Sequence, residues 1–198
     1  AIKVANLCKR YHPDSLVVLG GFTATWFWKE ILLKHASLDA IVLGEAESSL
    51  VQLARRTVEG KTLQDVPGIA YRTRELANHN PIPKPNENLD NLDLTNLRAL
   101  DSWRSYTKIS QSGYLRDMRP RFWLSLARGC SYDCVHCGGG RNAYRSLTGR
   151  ENVAFRSPER VAEDIQNLSQ LGVRQISFSH DPEIGTEKYQ ARILDEIR

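Results

Sequence analysis

Leu16-Val17-Val18-Leu19-Gly20-Gly21 decides the architecture of the first third of the chain. Four apolar residues in a row, bounded by a Gly-Gly turn, read as a short strand buried on both faces, as in a parallel sheet. A helical pattern follows over 26–35, with Thr25 or Thr23 as its cap. The unit then repeats: a second apolar strand over 39–43, Gly44 as its stop, and a helix over 45–59 closed by Gly60. Strand, turn and helix repeated with short loops imply right-handed crossovers over a parallel sheet. Upstream, Val4, Leu7, Cys8 and Tyr11 have helical spacing, so 2–11 reads as a helix stopped by Pro13 and Asp14.

Beyond Gly60 the pattern weakens. Residues 68–72 and a run near Leu76 pair as a hairpin around Arg74 and Glu75. Pro81, Pro83 and Pro85 then open a stretch that reads as an extended surface linker. The division expected is an α/β half-domain over 1–75, a linker over 76–118 and a second α/β region over 119–198. In that last region 122–127 is a strand candidate running directly into Arg128-Gly129-Cys130. Ser157-Pro158-Glu159 is a strong helix start: a Ser N-cap, Pro at the first helical position and an acid in the first turn. That helix runs to Leu171 and Gly172, a strand follows over 173–179, and another helix starts near Thr186. Two strand–helix units in succession read as the opening of a (β/α) barrel.

Cys130, Cys134 and Cys137 fall within eight residues, spaced C-x3-C-x2-C. Clustered cysteines in a chain without a secretory signal point to metal binding rather than to a disulfide framework, and to a cytoplasmic protein. Three thiolates on one loop ligate three irons of a cubane and leave the fourth iron open, whereas electron-transfer clusters close it with a fourth cysteine. Zinc is the rival, with His136 as a further donor. Structural zinc, however, takes four ligands, usually as two separated pairs, and the fourth cysteine, Cys8, lies far off. The basic stretches 116–128 and 141–156 bracket the cysteines and read mostly as solvated surface charge.

A net charge of +4 without any block of like charges gives no sign of a nucleic-acid partner. No apolar run approaches the roughly 20 residues that span a bilayer, which excludes a membrane-spanning helix. No P-loop, G-x-S-x-G motif or triad spacing is present. The chain lacks an initiator Met, opens inside one helical pattern and closes inside another, and so reads as a fragment that self-associates through uncovered apolar faces.

Arg128-Gly129-Cys130-Ser131-Tyr132-Asp133-Cys134-Val135-His136-Cys137 resembles the signature of the radical S-adenosylmethionine (SAM) superfamily. The residue before the third cysteine is usually aromatic there; His136 supplies a flat ring that can pack against the cofactor. The stretches 16–25 and 39–47 resemble the second half of a cobalamin (B12)-binding domain. The order of half-domain, linker and cysteine motif resembles the cobalamin-dependent class. The resemblance implies a partial Rossmann-like B12-binding-type domain followed by the start of a radical-SAM partial barrel. It implies a [4Fe-4S] cluster on Cys130, Cys134 and Cys137, SAM, and cobalamin held near Gly20, Gly21, Gly44 and Glu45. Asp181, then Glu183, would contact the SAM amino group, although an Asp capping a turn before Pro182 explains the same residues. It further implies reductive cleavage of SAM to start methyl transfer or rearrangement on a small-molecule or peptide substrate, with electrons from a donor such as flavodoxin or ferredoxin. Two other readings stay open: a non-catalytic Fe–S or zinc protein, and a B12-binding module with a vestigial cysteine loop.

Overall fold

The computed structural model describes residues 1–74, 76–108, 119–179 and 185–198. The chain divides into two compact units, each built from two separate segments: Ala1–Asn86 with Tyr132–Glu151, and Glu87–Ser131 with Asn152–Arg198.

The first unit begins with α1 (Ile2–Tyr11), β1 (Val18–Gly20), α2 (Phe22–Trp26), α3 (Trp28–Lys34), β2 (Ala40–Val42), α4 (Glu47–Val58), β3 (Ile69–Thr73) and β4 (Leu76–His79). These strands form one sheet in the order β1-β2-β3-β4. β1 and β2 pair in parallel and the remaining pairs are antiparallel, so the expected parallel crossover is present and the hairpin extends its sheet. All three residues of β2 are buried. The two-residue period of a strand sends Ile41 to one core, with Ala5, Leu32, Leu38 and Ala70, and sends Ala40 and Val42 to the other, with Leu53, Val66 and Ile69. A strand with core on both faces must be apolar throughout, which is why 40–43 shows no alternation. Asp39 closes the lower edge: its carboxylate accepts the Val17 N–H at 2.6 Å and pairs with Lys9 at 2.8 Å.

The helix expected over 26–35 starts earlier and is broken. Gly21, at φ 97°, is the N-cap of α2, and Phe27 separates α2 from α3. Neither Thr23 nor Thr25 caps it. The helix begins at the Gly-Gly turn, where the Thr25 N–H donates to the Gly21 carbonyl, and the Thr25 hydroxyl accepts the Gly44 N–H at 3.2 Å.

Of the linker expected over 76–118, the described residues 76–108 are distributed between the units. Residues 76–79 are β4, and Leu89 and Leu97 are buried in two short 3-10 turns, Leu89–Asn91 and Leu97–Ala99, within the second unit. There follow α5 (Trp103–Tyr106), β5 (Arg121–Leu124) and β6 (Ala127–Arg128). The chain then enters the first unit, where it forms α6 (Arg141–Thr148), and returns as β7 (Ala154–Phe155), α7 (Pro158–Gln170), β8 (Gln175–Phe178) and α8 (Glu187–Ile197). β5 and β8 pair in parallel, joined through α7. Leu124, Leu126, Val161, Leu168, Val173 and Ile193 form the core between strands and helices. Ser157 caps α7 by accepting the Arg160 N–H, and Thr186 caps α8 by accepting the Tyr189 N–H. Among the described residues no helix is long and apolar enough to cross a membrane.

The sequence reading of the basic stretches as mostly solvated fails at two positions. Arg150 and Arg156 are each 1% exposed. Each meets a buried carboxylate: Arg150 meets Glu45 and Arg156 meets Asp164. The carboxylates lie 105 and 8 residues away, the first beyond the reach of any local pattern.

Tyr189 rests on the second of these arginines. Its hydroxyl donates to the Arg156 carbonyl at 2.8 Å. Burial, helped by the charge of Asp90, pushes its pKa up to about 12. A value raised above that of the unfolded chain means that stability is fully present below about pH 10 and is lost as pH climbs through 12. One tyrosine is therefore expected to ionise last in an alkaline absorbance titration, and Tyr189→Phe to remove that final step. A wild-type titration complete near pH 10 would contradict this.

Candidate functional site

The cysteine motif straddles the division of the chain: Cys130 belongs to the second unit, and Cys134 and Cys137 to the first. Cys130 is half-buried, whereas Cys134 and Cys137 are exposed, as is His136 between them. The Cys137 N–H donates to the Cys134 carbonyl at 3.0 Å, closing a turn, and the Gly139 N–H donates to Cys137 Sγ at 3.4 Å. Among the described residues, no three His, Cys, Asp or Glu side chains are gathered within reach of one metal ion. The donor set still suits a cubane cluster: three soft thiols on one short exposed loop, with a backbone N–H already directed at one sulfur.

The part of this loop that lies in the first unit is fastened to the start of α6. Gly140, the N-cap, has no side chain with which to satisfy the free N–H groups of the first turn. Asp133 does so from a distance. Its Oδ1 accepts the Asn142 N–H at 2.7 Å, and its Oδ2 pairs with the Arg141 guanidinium at 3.3 Å. The Tyr132 carbonyl accepts the Arg141 N–H at 2.8 Å. A Cβ at Gly140 would stand 2.9 Å from the Tyr132 oxygen and 3.1 Å from Asp133 Oδ1, so only glycine lets the loop close on itself. At Gly138 a Cβ would meet nothing within 4 Å. Of these two glycines, only Gly140 is sterically required.

The far end of α6 is anchored on the first sheet. Tyr144 stacks edge-to-face on Phe22, with ring centroids 4.8 Å apart. Thr148 is buried, and Gly149 ends the helix in the left-handed conformation. Arg150 then directs Nε to Glu45 Oε1 at 2.7 Å and Nη2 to Glu45 Oε2 at 3.0 Å and to the Asn86 carbonyl at 2.7 Å. The Asn86 N–H donates back to Glu45 Oε2 at 3.3 Å.

Of the residues expected from sequence near cobalamin, Gly44 and Glu45 sit against the end of α6, and Gly20 and Gly21 lie at the start of α2. Gly44 has φ +70°, and a Cβ there would lie 2.8 Å from Ile82 Cγ2 and 3.5 Å from the Leu147 carbonyl. Gly44 and Glu45 form the socket into which the end of α6 fits. Gly20 has ordinary space around it, 3.7 Å to the nearest atom, and Gly21 starts α2 in open space. Beside them, a cavity of about 260 Å³ is lined by Phe22, Trp26, Phe27, Gly138, Ala143 and Leu147. It joins the start of α2, at the carboxyl end of β1, to the cysteine loop. Asp181 and Glu183 lie outside the described residues.

Sequence reasoning missed α6, and with it Asp133 and Arg150. Ala143, Tyr144 and Leu147 have helical spacing and Gly149 is a helix stop, but four arginines between 141 and 156 drew attention to charge instead.

No protein-family model matches the chain. It is 27% identical over 184 residues to an uncharacterized methyltransferase of Pyrococcus horikoshii, which covers 91% of this chain and 36% of the relative. It is 28% identical over 196 residues to the hopanoid C-3 methylase of Methylococcus capsulatus, covering 93% and 34%. It is 29% identical over 174 residues to the anaerobic magnesium-protoporphyrin IX monomethyl ester cyclase of Rubrivivax gelatinosus, covering 85% and 28%. The chain thus spans about a third of the length of the curated relatives it matches. Among solved structures it resembles the radical SAM methyltransferase TsrM of Kitasatospora setae with cobalamin and a [4Fe-4S] cluster bound. The TM-score is 0.62 at 18% identity, over 98% of this chain and 35% of that one. It also resembles the cobalamin-dependent SAM radical enzyme OxsB with aqua-cobalamin and SAM bound, at a TM-score of 0.62, 14% identity, and 98% and 26% coverage. Its relatives in sequence are methyltransferases and cyclases, and its fold is shared with cobalamin-dependent radical SAM enzymes.

Proposed function

We propose that this chain is part of a cobalamin-dependent radical SAM enzyme in which Cys130, Cys134 and Cys137 ligate a [4Fe-4S] cluster, leaving one iron for SAM. The observation that carries this reading is the C-x3-C-x2-C loop, which lacks a fourth cysteine and follows β5 and the short β6 in a unit where β5 and β8 pair in parallel across α7. Active sites of such barrels collect at the carboxyl ends of the strands. When bound, the cluster supplies the electron that cleaves the SAM sulfonium.

This chain's own residues hold and shield. The Gly139 N–H stabilises charge on the Cys137 sulfur. Asp133 and Gly140 keep the loop closed on α6. Asp181 and Glu183 are assigned to the SAM amino group, and the Gly20-Gly21 edge with its neighbouring apolar cavity to cobalamin, since ligands of open α/β sheets sit at strand carboxyl ends. The relatives' names support methyl transfer or ring formation as the outcome, on a small-molecule or peptide substrate. A flavodoxin or ferredoxin would supply the electrons, in a cytoplasm that keeps thiols reduced.

Anaerobic reconstitution with iron and sulfide tests the reading. Uptake of four irons per chain is expected, with an electron paramagnetic resonance signal of the reduced cluster that shifts on adding SAM. Cys134→Ala and Cys137→Ala are each expected to abolish that uptake. A colourless protein holding one zinc, or a cluster indifferent to SAM, would overturn it.

A further inference from the structure

We propose that Glu45 and Arg150 are positioning residues for the cysteine loop: through α6 they fix Cys134 and Cys137 on the sheet of the first unit. The proposal rests on the cluster reading above for its consequence, but its geometry stands alone. A continuous series of short contacts links the pair to the loop. Arg150, whose side chain is fully buried, clamps both oxygens of Glu45 and the Asn86 carbonyl. One residue back, the αL turn at Gly149 ends α6, and the Arg150 N–H donates to the buried Thr148 hydroxyl at 3.2 Å. Two turns of helix lead to Arg141 and Asn142, whose N–H groups are held by Tyr132 and Asp133. Cys134 follows Asp133 directly.

The loop itself is exposed from 131 to 138 and packs little of its own surface. Its order therefore comes from the helix it closes on, and the helix takes its place from the clamp together with the Tyr144–Phe22 contact. A guanidinium is needed because its planar fork reaches two carboxylate oxygens and a carbonyl at once; an ammonium keeps the charge and loses the fork. The turn after strand β2, which carries Gly44 and Glu45, thereby helps to set where two of the three thiols stand.

Arg150→Lys, Glu45→Gln and a matched control, Arg72→Lys, separate positioning from general loss of stability. Arg72 is a second forked arginine of the same unit. It donates to the Leu32 and Leu38 carbonyls at 2.6 and 2.8 Å and does not touch α6. In the iron-free full chain, Arg150→Lys and Glu45→Gln are expected to speed amide exchange at Arg141 and Asn142 roughly tenfold, the effect of one weakened hydrogen bond. Arg72→Lys is expected to leave those two amides unchanged. After reconstitution, the two clamp variants are expected to broaden the cluster's resonance signal and to lose iron faster to a chelator, with Arg150→Met worse than Arg150→Lys; the control matches wild type. Equal exchange in the clamp variants and the control would overturn the proposal. A wild-type chain that takes up no cluster would instead overturn the cluster reading, with the exchange comparison still deciding the positioning role.

Discussion

Arg156→Ala is expected to lower the unfolding free energy of the second unit by about 3–5 kcal/mol, the usual cost of leaving a buried charge without its partner. Arg156 donates to the Leu89 and Leu92 carbonyls at 2.6 and 3.1 Å and to Asp164 Oδ2 at 2.5 Å. The Asp164 side chain is fully buried. Truncation strands two carbonyls and leaves the buried Asp164 carboxylate with the longer pairing to Arg160 Nε at 3.7 Å. Burial already holds the Asp164 pKa above its ordinary value, against the pull of Arg156, so removing the guanidinium raises it further. A carboxyl whose folded-state pKa lies above the unfolded one contributes stability below the unfolded value and loses it as pH rises through the folded one. The deficit of Arg156→Ala is therefore expected to be smaller at pH 5 than at pH 8. Urea unfolding at both values measures it, with a midpoint drop of about 1–3 M at neutral pH. Arg156→Met combined with Asp164→Leu is expected to recover most of the loss, since apolar replacements of a buried pair are often neutral. A deficit under about 1 kcal/mol for Arg156→Ala, the range of an exposed pair, would contradict this account.

Glu45→Ala is expected to cost the first unit a similar amount, about 3–5 kcal/mol, for the same reason with the signs reversed. Arg150 would remain buried after losing the two carboxylate oxygens it clamps, and would keep the Asn86 carbonyl. Arginine cannot shed its proton to escape, whereas a stranded aspartate can take one up. The Glu45 variant is accordingly expected to show no relief at pH 5, in contrast to Arg156→Ala. Glu45→Gln keeps one acceptor oxygen and is expected to fall between wild type and Ala. Comparing the pH dependence of the two variants distinguishes the loss of a buried carboxylate from the loss of a buried guanidinium.

Much of this was legible in the sequence where the signal was local. Ser157-Pro158 marked the start of α7 because cap chemistry acts over three residues, and Thr186 marked α8 in the same way. The apolar run 40–43 reported a strand buried on both faces. The cysteine spacing was visible without any fold. What stayed hidden depends on partners distant in sequence. Glu45 and Arg150 are 105 residues apart, so their pairing left no local signal and Arg150 read as surface charge. Thr25 read as a cap because its actual partner, the Gly44 N–H, belongs to the next strand. Of the aromatics at 26–28, Trp28 packs on the core, whereas Trp26 and Phe27 are about half exposed or more and line a cavity, a difference no local pattern marks.

The chain crosses between its two units three times, after Asn86, Ser131 and Glu151. Neither unit is a continuous stretch of polypeptide, so neither is finished until the ribosome has made residues belonging to the other. Domains that are contiguous fold in the order of their synthesis. Here the N-terminal sheet must wait, with the Gly44–Glu45 socket unfilled, until Tyr132–Glu151 emerges. A cut anywhere between 87 and 131 would separate each unit into halves rather than release one of them whole.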